Sequence, residues 1–297
     1  HLDADAQQGV VLALGSTLFI GASFIVKKKA LLRANLSGYT PAADGGYAYL
    51  RQPIWWAGLV CMILGESANF AAYAYAPAIL VTPLGASTIV TSAIFARCFL
   101  GETLHGCGVV GIGLCVLGTA LLVLHAPDGV PVSSVEEIWE LASQPAFVAY
   151  ATCVIATVLV LVVRYAPTIG PREVWVYVLI CSLVGSLSVS AVRGLGIALK
   201  LSWRGSPQMH KPLTYALLGL VAISLATQLN YLNKALDTFG TTMVSSVYYA
   251  FFTVCTVTAS MIMYKDWANE RANLILTQVF ALCVLLLGVH TLSSTRS

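Results

Sequence analysis

A chain of 297 residues is long enough for one or two soluble domains. Only 10% of this one is charged and 58% is hydrophobic, against roughly 25% charged residues in soluble domains. The mean hydropathy of +0.82 excludes a water-soluble surface, and a net charge of +3 from 16 scattered Lys and Arg excludes a nucleic-acid stripe.

Nine apolar stretches are long enough to cross a bilayer as helices, which takes about 20 residues each. They are predicted near 9–27, 55–75, 78–98, 105–125, 146–165, 173–193, 212–233, 240–262 and 272–292. Alternating ten-residue strands are absent, so a β-barrel is excluded. The first stretch ends in Lys27-Lys28-Lys29 rather than in a small-residue cleavage site, and Asp3 and Asp5 precede it. It reads as a span, not a signal peptide, and the lysines as its end at the membrane surface. Residues 28–54, with GYTPAADGG, form a long irregular loop. VSSVEEIWE within 125–145 reads as a short surface helix, capped by Ser133 or Ser134 with Glu136 and Glu137 in its first turn. The eight cysteines fall in apolar text without CxxC spacing and read as packing residues. Gly108, Gly111, Cys115 and Gly118 share one face suited to close helix packing.

With the N-terminus outside, ten Lys and Arg face the cytoplasm and six the other side, and the acidic 126–145 loop lands outside. The basic 194–211 loop opposes this orientation. The halves also match. GLVCMILGESANFAAY from Gly58 and GLVAISLATQLNYLNK from Gly219 share their opening, and Asn69 and Asn230 fall at one offset. Matching spans lie five apart, an odd number, so the repeats, 1–171 and 172–297, run in opposite orientation. The fold class is therefore an all-α polytopic membrane protein. It is an inverted-repeat transporter fold of nine transmembrane helices, lacking the tenth.

Glu66 lies deep in the second span, where a lipid-facing charge costs about 2.5–3.5 kcal/mol on insertion scales. It must face protein or a wet cavity. Asn69 and Tyr73 follow it at helical spacing. Asn230, Asn233, Lys234 and Asp237 make a polar stripe on the seventh span, where Lys234 and Asp237 could simply pair. Thr82-Pro83 frees a carbonyl within the third. Tyr248 adds a phenol to the eighth. One deep carboxylate with amides suits a hard cation such as magnesium held through its water, with Glu66, Asn69 and Asn230 lining the site. The same face suits a proton in a metabolite exchanger. No nucleophile–base set is seen, so the chain is not read as an enzyme, and no cofactor is implied.

GASFIVKKKALLR (21–33), GESANFAAYAYAP (65–77), VTPLGA (81–86), FLGETLHGCG (99–108) and LNYLNKALDTF (229–239) resemble the NIPA family of magnesium transporters, within the drug/metabolite transporter superfamily. The resemblance covers nearly all nine spans. It implies Mg2+ transport through a cavity between the repeats, with other divalent cations as further cargo. It also implies plasma or endosomal membranes, a lipid and magnesium partnership without nucleic acid, and a homodimer as the assembly to consider. By resemblance, Glu66, Asn69, Thr82, Asn230, Asn233 and Asp237 fall on family motifs. Departures are Ala30 for glycine, Gly240-Thr241 for Asn-Thr, and Ser245-Ser246 for Ser-Pro. A proton-coupled metabolite carrier and a non-transporting membrane scaffold are the competing readings.

Overall fold

The structure is a computed structural model. It describes residues 4–75, 87–103, 106–124, 135–203, 212–264 and 272–294. Among them are ten α-helices. These are α1 (Ala4–Leu36), α2 (Pro53–Tyr75), α3 (Thr88–Leu100), α4 (Gly106–Leu124), α5 (Val135–Ala142), α6 (Pro145–Val160, continued by a π turn, Leu161–Tyr165), α7 (Val174–Trp203), α8 (Pro212–Thr238), α9 (Thr241–Tyr264) and α10 (Ala272–Ser294). Five are long and apolar enough to cross a membrane, over 7–36, 53–72, 145–165, 212–238 and 241–263. Shorter apolar helical stretches lie at 88–100, 106–122, 174–189 and 276–292. Each expected span overlaps an apolar helix, and five of them fall on helices long enough to cross. The third is described only from residue 87, so Thr82 and Pro83 lie outside the described residues, as do Ser133 and Ser134.

The lysine triplet corrects the sequence reading. Lys27, Lys28 and Lys29 do not end a helix; α1 runs on to Leu36. Lysine is a good helix former. Ala30, Leu31 and Ala34 keep a buried face going beyond the charges. The irregular loop therefore starts after Leu36, and a 3-10 turn at Ala48–Arg51 leads to Pro53 at the start of α2. Proline is tolerated there because the first-turn amide has no helical partner anyway.

The chain divides into two compact units. The first comprises 1–125, 233–250 and 273–297, the second 126–232 and 251–272. In the first unit, α1 and α2 pack antiparallel along two glycines. A Cβ on Gly58 would lie 2.9 Å from Lys27 Cγ and 3.3 Å from the Ser23 carbonyl oxygen. One on Gly65 would lie 2.6 Å from Ile20 Cγ1 and 3.1 Å from the Ser16 carbonyl oxygen. Without a hydrophobic force in lipid, such close backbone approach supplies the dispersion contact that holds spans together. The same device joins α4 to α10, where Gly118 abuts Leu285, and Gly288 abuts Cys115. The small face expected on the fourth span is this contact surface, and all eight cysteines are free thiols. Ser92 of α3 and Ser245 of α9 share a buried hydrogen bond of 2.6 Å. Helix α9 continues through Ser245 and Ser246.

In the second unit, the Tyr150 hydroxyl of α6 lies 3.0 Å from Ser186 Oγ of α7, and donates toward the Cys255 carbonyl at 3.3 Å. Gln228 of α8 donates to Ser188 Oγ at 3.2 Å. These bonds satisfy polar side chains among apolar helices.

Candidate cation site

The site is built on α2. Gly58, Gly65 and Ala72 line the stripe buried against α1. Val60, Ile63 and Phe70 are exposed on the opposite side. At about 100° per residue, Glu66 sits between these faces, about 20° from the direction of Trp55 and three turns further on. Trp55 is buried, and its indole N–H donates to Asn233 Oδ1 of α8 at 3.1 Å. Glu66 thus continues an edge of α2 that begins against protein. Its side chain is exposed. Asn69, one turn on, is half-buried, and its buried Oδ1 has no hydrogen-bond partner among the described residues. The Tyr73 side chain lies outside the described residues.

Lys27 completes this group. It is 1% exposed, and its ammonium donates to Met62 Sδ at 2.9 Å. Met62 is one turn short of Glu66. The carboxylate and the ammonium are in electrostatic reach of each other. Sequence reading passed over Lys27 because a lysine run at the end of an apolar stretch looks like an interfacial anchor. The signal was present in GLVCM, where Gly58 leaves room on α2 for a long side chain.

The polar stripe of α8 is divided by the structure. Asn230 is half-buried in the second unit, so Glu66, Asn69 and Asn230 are not assembled within either unit. Asn233 is 1% exposed and holds Trp55. Asp237 is anchored on both oxygens, accepting from Asn35 Nδ2 at 2.6 Å and from the Ala43 amide at 3.0 Å. That ties α8 to the end of α1 and the loop behind it. Tyr248 sits edge-on to Phe24 with ring centroids 6.2 Å apart. Near Asn233, Tyr49 is 5% exposed beside the Trp55 ring. Burial pushes its phenol above the ordinary tyrosine value, and the Asn233 amide opposes part of that rise.

Between α8 and α9 the chain breaks for a residue or two, and two charges hold the break. Lys28 donates to the carbonyl oxygens of Leu236, Asp237 at 3.4 Å and Phe239 at 3.0 Å. These are carbonyls left over at a helix C-terminus, where a cation is favoured. Glu102 does the converse at the start of α9. Its oxygens accept from the Thr241 amide at 2.6 Å, the Thr242 amide at 3.1 Å and Thr242 Oγ1 at 3.0 Å. Gly240 has no side chain with which to cap α9, so Glu102, 139 positions from Thr241, does it.

Among the described residues no three His, Cys, Asp or Glu side chains come together. The arrangement is one exposed carboxylate and one amide oxygen on α2, the latter without a partner among the described residues, and one buried ammonium from α1. That set matches a hydrated cation better than a dehydrated one, because a cage for a bare divalent ion takes several carboxylates.

The profile of the magnesium transporter NIPA family matches residues 4–297. The chain is 51% identical over 295 residues to the probable magnesium transporter NIPA4 of Arabidopsis thaliana, covering 99% of this chain and 86% of that protein. It is 48% identical over 296 residues to the Arabidopsis probable magnesium transporter NIPA1, covering 100% of this chain and 88% of that one. It is 44% identical over 289 residues to the human magnesium transporter NIPA3, covering 97% and 70%. No solved structure matches. With its apolar helices and this likeness along nearly its whole length, the chain is an integral membrane protein and belongs to the NIPA magnesium transporter family.

Proposed function

We propose that this protein carries Mg2+ across a membrane and that Glu66 is the charge the ion meets on the way. The supporting observation is an accessible carboxylate within a membrane-spanning helix, in a chain whose relatives are named magnesium transporters. A carboxylate facing lipid would cost about 2.5–3.5 kcal/mol on insertion scales, so an accessible one at this depth is better explained by a wet path. Asn69, whose oxygen has no partner among the described residues, orients water on the hydrated ion. All nine apolar helices cross the bilayer in this reading, and the halves 1–171 and 172–297 form repeats of opposite orientation. The shared offset of Asn69 and Asn230 supports that organisation.

The test is magnesium uptake by cells lacking their own transporters. Wild-type protein restores uptake, and Glu66→Gln at equal surface expression loses most of it. Equal uptake by both proteins removes Glu66 from the path.

A further inference from the structure

Lys27 is a costly residue for a strut. A buried ammonium needs strong acceptors or a counter-charge. Its contact with Met62 Sδ at 2.9 Å is with a weak acceptor. Among the described residues the opposite charge in reach is Glu66. Its direction follows from helix geometry. Side chains on a helix tilt toward that helix's N-terminus. The helices run antiparallel, with Gly58 against Ser23 and Lys27, and Gly65 against Ser16 and Ile20. The Lys27 stem therefore starts level with Gly58 and runs along α2 toward Met62 and then Glu66. Gly58 leaves the groove in which it lies, since a Cβ there would meet Lys27 Cγ at 2.9 Å.

We propose that Lys27 is a tethered counter-charge that weakens the hold of Glu66 on Mg2+, so that the ion is released rather than trapped. This rests on the reading of Glu66 as the cargo carboxylate. A conducting site must bind well enough to admit the ion and weakly enough to let it leave. A dication beside a lone carboxylate in low dielectric is held too firmly, and a positive charge one turn away offsets part of that attraction. The ammonium has two acceptors within its reach along α2, Met62 and Glu66. On Met62 it leaves the carboxylate to the ion; on Glu66 it takes the ion's place. Lys27 is thus an affinity-setting residue and touches α2 rather than the cargo.

The experiment reads Mg2+ flux into proteoliposomes against Mg2+ concentration. It is paired with Mg2+-dependent thermal stabilisation of the detergent-purified protein. Lys27→Met lowers the half-saturating concentration by roughly ten-fold or more, since a unit charge is removed from the field of a dication. It also lowers the maximal rate, because release slows. Lys27→Arg keeps both near wild type. Met62→Leu conserves volume but removes the thioether, so the ammonium settles on Glu66 and the half-saturating concentration rises. A Lys27→Met curve with unchanged or higher half-saturation, while Glu66→Gln still abolishes flux, overturns the counter-charge and leaves the transport reading intact. Flux that survives Glu66→Gln overturns both. Should Lys27→Met not fold, Met62→Leu decides alone, and half-saturation unchanged or lower sinks the proposal.

Discussion

Lys27 and Lys28 are neighbours in sequence and opposites in structure. Lys28 reaches the break between α8 and α9 and donates to three carbonyl oxygens that have lost their helical partners. Lys27 enters the α1–α2 seam and finds the thioether of Met62, with Glu66 in electrostatic reach. The difference teaches how to sort buried charges in a membrane. Backbone carbonyls meet the charge of Lys28, whereas among the described residues the charge of Lys27 meets a weak acceptor, and an ionisable group of that kind in a span marks a place to look for function.

Swapping both lysines separately for methionine breaks the comparison most sharply. Lys28→Met leaves a cluster of carbonyls without a donor, and charged hydrogen bonds of this kind contribute about 1.5–3 kcal/mol each. Unfolding by titration with denaturing detergent shows a loss of about 2–3 kcal/mol. Lys27→Met costs less by the same measurement, because the ammonium gives up a bond to a thioether, a weak acceptor, and the Glu66 carboxylate left behind is exposed. Equal losses from the two variants would erase the distinction.

Glu102→Ala tests the other side of the break. It leaves the Thr241 and Thr242 amides without their acceptor, a capping loss of about 1–2 kcal/mol. Hydrogen exchange at the first turn of α9 speeds up before exchange elsewhere does. Asn35→Ala removes one of the two donors to Asp237 and costs about 0.5–1.5 kcal/mol, read as a lower thermal midpoint. The smallest effect belongs to Tyr49. Its phenol titrates above the usual value in the folded chain, so the folded state holds that proton more tightly than the unfolded one. The stability this contributes is complete below pH about 10 and is lost as pH rises beyond it. Tyr49→Phe flattens that alkaline decline.

Hydropathy made the helices legible, since each expected span meets an apolar helix. It failed at the lysines because a residue scale scores the charged tip and ignores the stem. The groove receiving the stem belongs to α2, and Met62 is 35 positions away. Glu66 was legible from its cost alone. The roles of Asp237 and Glu102 were not, because the polar periodicity of α8 says nothing about Asn35 or the Ala43 amide. Partners 202 and 139 residues away in sequence leave no local pattern. The small face of α4 could be read because close packing demands small side chains whatever the partner.

The carboxylate of Glu102 fills the amides at the start of α9. Helix starts of that kind are ready-made cradles for phosphate. Here the cradle is stoppered by the protein itself. Nucleotides and other phosphorylated metabolites thus lose one natural foothold in the first unit, because the acceptor they would supply is already built into the chain.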